Sequence, residues 1–412
     1  MRHFRSVSLL RPTKPNEVTT WLTIRHALGK QQVKSLEDPF IAKIPKVELH
    51  IHIEGTLTPS LRFKLAQQNQ IPLHSKRLNK TFTTLVELKE MYNLLQPRSI
   101  KGSNHISAFF DAYYGGMEVL RTEEDFYDLA MEYFDKAARM NVRYCELFFD
   151  PQAHTRRGVE FEVFMKGFGK AQIDAERNLD VGHYTLFRMY HQADDQKVKS
   201  QWIMCMLRDM SLDSAMKHYE AAQPYKNMIV GLGLDSNEYN RPPSLFEPLY
   251  LRARADGFKL TCHCDVTQKD THEHIRQVAE CVGGTGADRL DHGLDAAERP
   301  GLVALIKERG MGVTLCPWAY VRHNTEEDLF KHVRTLVDAG IKVNVSSDSP
   351  AYVESNWITQ NLALLRLKAK FTDEDIEQVE KDSIDMCWAA EDVKRVLYEE
   401  VQTFCEKSAA SS

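Results

Sequence analysis

The chain has 412 residues, 43% of them apolar and 27% charged, the balance of a globular protein with a substantial core. A formal charge of −5 argues against a basic nucleic-acid-binding surface. No apolar run reaches the roughly 18 residues needed to cross a bilayer, so a small molecule is expected as partner, neither nucleic acid nor membrane.

The first sixteen residues carry Arg2, Arg5, Arg11 and Lys14, with no acidic residue before Glu17. A disordered basic tail is expected within an N-terminal extension, residues 1–42, with a mitochondrial presequence as the alternative. The eight cysteines are scattered without a CxxC pair, and several sit in apolar runs where a thiol acts as a small hydrophobe. That pattern implies an intracellular, cytoplasmic protein without a disulfide framework.

From residue 46 onward, short apolar runs alternate with longer amphipathic stretches. Strands are predicted at 46–51, 142–149, 201–206, 228–234, 258–263, 287–292, 312–316 and 342–347. Helical spacing occupies 243–256, 271–282, 297–309 and 326–339, with Gly257 and Gly340 as stops before the next strand. Eight strands with intervening helices suit a closed (β/α)8 TIM-type barrel over residues 43–370. A doubly wound open sheet is the alternative, but the glycine-rich turn expected after its first strand is missing. Residues 80–136 have room for helices that roof the barrel mouth, and 371–412 read as terminal helices packed on the barrel. The segment 182–200 exceeds what a plain connection needs.

The strongest local signal is Glu48-Leu49-His50-Ile51-His52 on the first strand. Alternation along an extended chain sends His50 and His52 to one side, where two imidazoles can share a metal ion. His263 ends the fifth predicted strand, His292 the sixth, and Asp348 follows the eighth. In a barrel these carboxyl ends share one rim, where active sites of this fold occur. His50, His52, His263 and Asp348 are therefore expected to hold one divalent ion, Zn²⁺ first among the first-row metals that such a site accepts. An open coordination position would lower the pKa of water there, and His292 would orient that water or take its proton. His272 and His274, in DTHEHIR, read as solvated positions at the start of a helix capped by Asp270 or Thr271. Cys262 and Cys264 should point away from the metal side by strand alternation. The aromatic run FFDAYYGGM (109–117) reads as core packing, or as a roof that sets a ring against substrate.

With these residues placed, the sequence resembles the adenosine/adenine deaminase branch of the metal-dependent hydrolases. The motifs that carry the resemblance are PKVELHIHIEGTL, FFDPQAHTRRGV, IMCMLRDMSLDSA, GLGLDSNE, RLDHG, LCPWAYV and SSDSPAY, over residues 43–370. Glu54, in HIHIEG, is similar to the adenine deaminases, where nucleoside deaminases typically carry aspartate. The resemblance implies metal ligation by His50, His52, His263 and Asp348, catalysis by His292, and substrate contacts from Glu54, Asp235 and position 349. It also implies hydrolytic attack at C6 of a 6-aminopurine with loss of ammonia.

Two positions depart from the family pattern. His263 is usually followed by Ala-Gly-Glu, whose glutamate protonates the purine ring, but here Cys264-Asp265-Val266 follows. Asp265 is the candidate replacement acid, although strand geometry would aim it differently from residue 266. Ser349 stands where a second aspartate would meet the purine's N7. The expected function is deamination of adenine or a related amino-heterocycle. The alternatives are hydrolysis of an amide or cyclic C–N bond in a non-purine substrate, and a metal-containing binding protein without turnover.

Overall fold

The computed structural model describes residues 38–93, 108–177, 198–321, 326–353 and 355–410. The basic tail and most of segment 182–200 lie outside the described residues. Eight parallel barrel strands follow in chain order: β1 (Lys46–His52), β2 (Val142–Phe149), β3 (Lys199–Leu207), β4 (Ile229–Asp235), β5, β6 (Arg289–His292), β7 (Gly312–Leu315) and β8 (Val343–Val345). Strand β5 comes in two pieces, Lys259–Leu260 paired with β4 and His263–Cys264 paired with β6. Between them Thr261 N donates to Leu232 O at 3.0 Å and Asp291 N to Cys262 O at 3.0 Å, which carries the ladder across the break.

The other seam closes between β1 and the residues after β8. Ile51 bridges Asp348 in parallel, His52 N donates to Asp348 O at 2.9 Å, and Asp348 N donates to His50 O at 3.0 Å. The seam therefore ties the HxH pair to Asp348 through the backbone. Gly257 and Gly340 stop their helices at φ +88° and +76°, the left-handed conformation that favours glycine.

The helix Glu123–Arg139 shows how the outer layer is specified. Thr122 and Asp125 form a capping box, acidic residues fill its first turn, Lys136 and Arg139 its last, and Phe126, Leu129, Ala130, Tyr133 and Phe134 face inward. The C-terminal helices Asp373–Met386 and Glu391–Ala409 follow the barrel. The first of them covers the amino ends of the strands: Glu380 accepts the Val47 amide at 2.9 Å and Asp382 the Val343 amide at 3.1 Å. Inside the barrel, Phe148, Ile203 and Cys205 form a small apolar cluster separate from the main core between strands and helices. All eight cysteines are free thiols.

Candidate active site

Five predicted side chains from the ends of four strands converge at the carboxyl rim. The His50 ring centroid lies 5.5 Å from that of His52, 4.7 Å from His263 and 4.5 Å from His292. His52 Nε2 and His263 Nε2 are 3.0 Å apart, and Asp348 Oδ1 is 3.9 Å from His52 Nε2. The Phe148 ring forms the floor, with centroids 5.0, 5.1 and 5.3 Å from His50, His52 and His263. His292 and Asp348 both adopt φ +62°, a left-handed conformation that costs a non-glycine residue about 1–2 kcal/mol. Both lie where a strand ends and the backbone turns to present its side chain.

The donor set fits a divalent ion. Potential ligand atoms of His50, His52 and His263 lie within 4.8 Å of one another, as do those of His50, His292, Cys316 and Asp348. Each predicted imidazole ligand turns Nδ1 toward an oxygen. His50 Nδ1 is 2.8 Å from Thr314 Oγ1, which donates to Asp291 Oδ1 at 3.1 Å. His52 Nδ1 lies 3.5 Å from Asp235 Oδ2, and His263 Nδ1 lies 3.5 Å from Asp291 Oδ2. An Nδ1 turned toward oxygen leaves Nε2 for a metal, and the Thr314 hydroxyl fixes the direction of the His50 ring. Burial, then the neighbouring His50, His52 and His292 rings, hold the His263 imidazole well below its usual range. The neutral imidazole is the form that binds a metal. Replacing His52 or His263 by alanine is expected to reduce bound metal to background in elemental analysis. Chelation of the intact protein should lower its thermal midpoint, since a ligand at 100 times its Kd stabilises by about 2.7 kcal/mol.

A cavity of about 400 Å³, counting its open mouth, lies over this cluster, with His52, His263, His292 and Asp348 on its wall. The roof is the helix Ala108–Gly116, so the aromatic run does face the mouth. Tyr113 Oη donates to Asp150 Oδ2 at 3.2 Å and Tyr114 Oη to Ser236 Oγ at 2.8 Å, which ties the roof to the rim. Phe109 stacks on Tyr113 at 5.4 Å and Phe110 on Tyr114 at 5.8 Å, giving an apolar face for a flat ring.

Asp265 also lines the cavity, while Val266 is 1% exposed and belongs to the apolar core. Asp265 and residue 266 are aimed differently, as strand geometry requires, and it is Asp265 that faces the cavity. His263 and Asp265 are two residues apart on extended chain and so project to one side. Val266 N then donates to Asp265 Oδ1 at 2.8 Å, and the backbone turns at Thr267, φ +59°.

Glu54, expected at the substrate, is absent from the cavity wall and fully buried. It accepts the Asp150 amide at 3.0 Å and contacts His154 Nε2 at 2.8 Å, because the chain leaves the strand for a 3-10 turn (Glu54–Thr56) after His52. Burial raises its carboxyl to about 7. Asp235 and Ser349 do line the cavity. Burial and the adjoining Asp150 carboxylate push Asp235 well above the usual carboxylate range. Ser349 Oγ donates to Asp348 Oδ1 at 2.9 Å, so its hydroxyl orients that carboxylate. Behind it, a Cβ on Gly55 would stand 2.6 Å from Ser349 Cα, which explains the glycine of HIHIEG. Gly55→Ala is expected to cost about 1–3 kcal/mol of stability by overpacking, read as a lowered thermal midpoint.

The sequence reading missed Glu238, Tyr320 and Thr314 as parts of the site, and it misplaced His274. That histidine is buried, with Nδ1 3.4 Å from Glu238 Oε2, whereas a solvated position was expected. Its helix, Thr271–Glu280, buries Thr271, His274, Ile275 and Val278, an i, i+3, i+4, i+7 spacing that carried the signal. Asp270 occupies the N-cap without a side-chain cap bond.

Comparison with known proteins follows the same lines. Residues 45–404 match the family model for adenosine deaminase. An uncharacterised deaminase of Schizosaccharomyces pombe is 39% identical over 369 residues, 89% of this chain and 97% of its own. An adenine deaminase of Acinetobacter baylyi is 32% identical over 366 residues, 89% of this chain and 98% of its own. The crystal structure of an adenine deaminase from Arthrobacter aurescens superposes with a TM-score of 0.73 at 31% identity, covering 88% of this chain and 99% of that one.

Proposed function

Since this chain belongs to the adenosine deaminase family, we infer that its rim site hydrolyses the exocyclic C–N bond of adenine or a related 6-aminopurine and releases ammonia. It is a metal-dependent hydrolase on a TIM-type barrel, and its substrate is a small molecule. The observation that carries the reading is one cavity whose wall holds candidate metal donors, His292 and Asp265 together. We propose one Zn²⁺ held by His50, His52, His263 and Asp348, because imidazole and carboxylate donors suit that ion. When bound, such an ion supplies Lewis acidity and brings the pKa of water toward neutrality.

The remaining work falls to this chain's own residues. Cys316 N donates to Tyr320 Oη at 2.9 Å, and Tyr320 Oη lies 2.9 Å from His292 Nδ1. Assigned from that network, the tyrosine proton goes to Nδ1 and the imidazole proton sits on Nε2, facing the cavity. His292 can then hold the attacking water by its oxygen. Asp265, on the same wall, is placed to protonate the ring nitrogen beside C6 as the water oxygen adds there. One proton of the water passes to the amino nitrogen and the other returns to Asp265, so that collapse of the tetrahedral carbon breaks the C6–N bond, expels ammonia and leaves the 6-oxo product. The aromatic roof supplies a face for the flat heterocycle and limits access of bulk water.

Turnover in water enriched in heavy oxygen tests this chemistry. One heavy oxygen at C6 of the product, with ammonia released, is the expected result. A ring-opened product without ammonia would instead assign cleavage of a cyclic C–N bond.

A further inference from the structure

Asp265 lies one residue beyond the ladder of β5, whose last pairings are Cys264 with His292 and Gly293 N with Cys264 O at 3.0 Å. An amide past the end of a ladder needs another acceptor. Glu238, three residues past β4 and 3% exposed, supplies it: Oε1 accepts from Asp265 N at 2.8 Å. The other oxygen, Oε2, lies 3.1 Å from Nη1 of Arg208, a fully buried side chain just beyond β3. Arg208 Nη2 in turn donates to His263 O at 2.6 Å and to Leu234 O at 3.2 Å.

The two charged groups thus grip the peptide units on either side of Cys264. One holds the His263 carbonyl and the other the Asp265 amide. Residues two apart on extended chain project together, so gripping this backbone directs the His263 ring and the Asp265 carboxyl into the same cavity. We propose that Arg208 and Glu238 form a positioning pair that sets the direction of Asp265, the feature that lets an aspartate serve where the family carries a glutamate one residue later. The proposal rests on the assignment of Asp265 as the acid. Glu238 is itself on the cavity wall, so the alternative it must be separated from is direct contact with substrate.

A charge-neutral double variant, Arg208→Met with Glu238→Leu, removes the grip without leaving a buried unpaired charge. Arg208→Met with Glu238→Gln is equally neutral but retains an oxygen for the Asp265 amide. With zinc-loaded protein and adenine, the leucine variant is expected to lose roughly 10–100-fold in kcat. KM should move less than about threefold, and the metal should be retained. The glutamine variant should recover most of the loss. In an Asp265→Asn background the leucine variant should cost little more, because residues acting through one another are not additive. Losses that multiply in that background, a change confined to KM, or failure of glutamine to rescue would each overturn the positioning role. Hydrogen–deuterium exchange at residues 263–267 reads the grip without substrate. The leucine variant should exchange there at least about tenfold faster, and unchanged exchange would overturn the grip itself. Absence of ammonia from the unaltered protein, with exchange behaving as expected, would instead count against the assigned reaction.

Discussion

Replacing His292 by asparagine lowers ammonia release from the aminopurine roughly 10²–10⁴-fold, while metal content and fold remain. His292 is 1% exposed and sits at φ +62°, so alanine would leave both a void and strained backbone. Asparagine tolerates the left-handed region better and is the cleaner probe. Its amide cannot reach the cavity as the imidazole does, and the contact with Tyr320 is lost with it. Tyr320→Phe removes the hydroxyl that fixes the imidazole tautomer and also accepts the Cys316 amide, and about a tenfold loss is expected. An asparagine variant with unchanged kcat would remove His292 from the mechanism.

The second large effect concerns the acid. Asp265→Asn keeps the oxygen that accepts the Val266 amide at 2.8 Å, so the local backbone is preserved while the proton donor is lost. A fall in kcat of roughly 10²–10⁴-fold with little change in KM is expected. Restoring the family's glutamate at the next position does not compensate. Val266 lies in the apolar core, 1% exposed, and Val266→Glu would bury a carboxylate there without a counter-charge. That variant should lose stability, by about 3 kcal/mol or more, with no gain in turnover. Rapid turnover by Asp265→Asn would transfer the acid role to another group.

The barrel was legible because its strands are short apolar runs separated by helices with recognisable stops, as at Gly257 and Gly340. The convergence of the rim side chains was legible because alternation places His50 and His52 together and because strand ends share a rim. The break in β5 was not legible. Thr261 and Cys262 look like any strand residues, and the interruption reflects a change of ladder from β4 to β6. Glu54 was assigned to the substrate by resemblance alone; the 3-10 turn after His52 instead carries its carboxyl to the Asp150 amide and His154. Glu238 escaped because it lies in the loop after β4, where no periodicity survives. Its role is defined by residues far away in sequence, Arg208 and Asp265.

Metal-dependent deamination at this rim is tested most directly by ammonia release from adenine, adenosine, N6-substituted adenines and other amino-heterocycles. The zinc-loaded protein, the chelated protein and His292→Asn would be compared, with product mass followed in parallel. Ammonia from an aminopurine with zinc-loaded protein, lost on chelation and in His292→Asn, is the predicted result. Silence across the panel from protein that holds its metal, or equal release from His292→Asn, would contradict it.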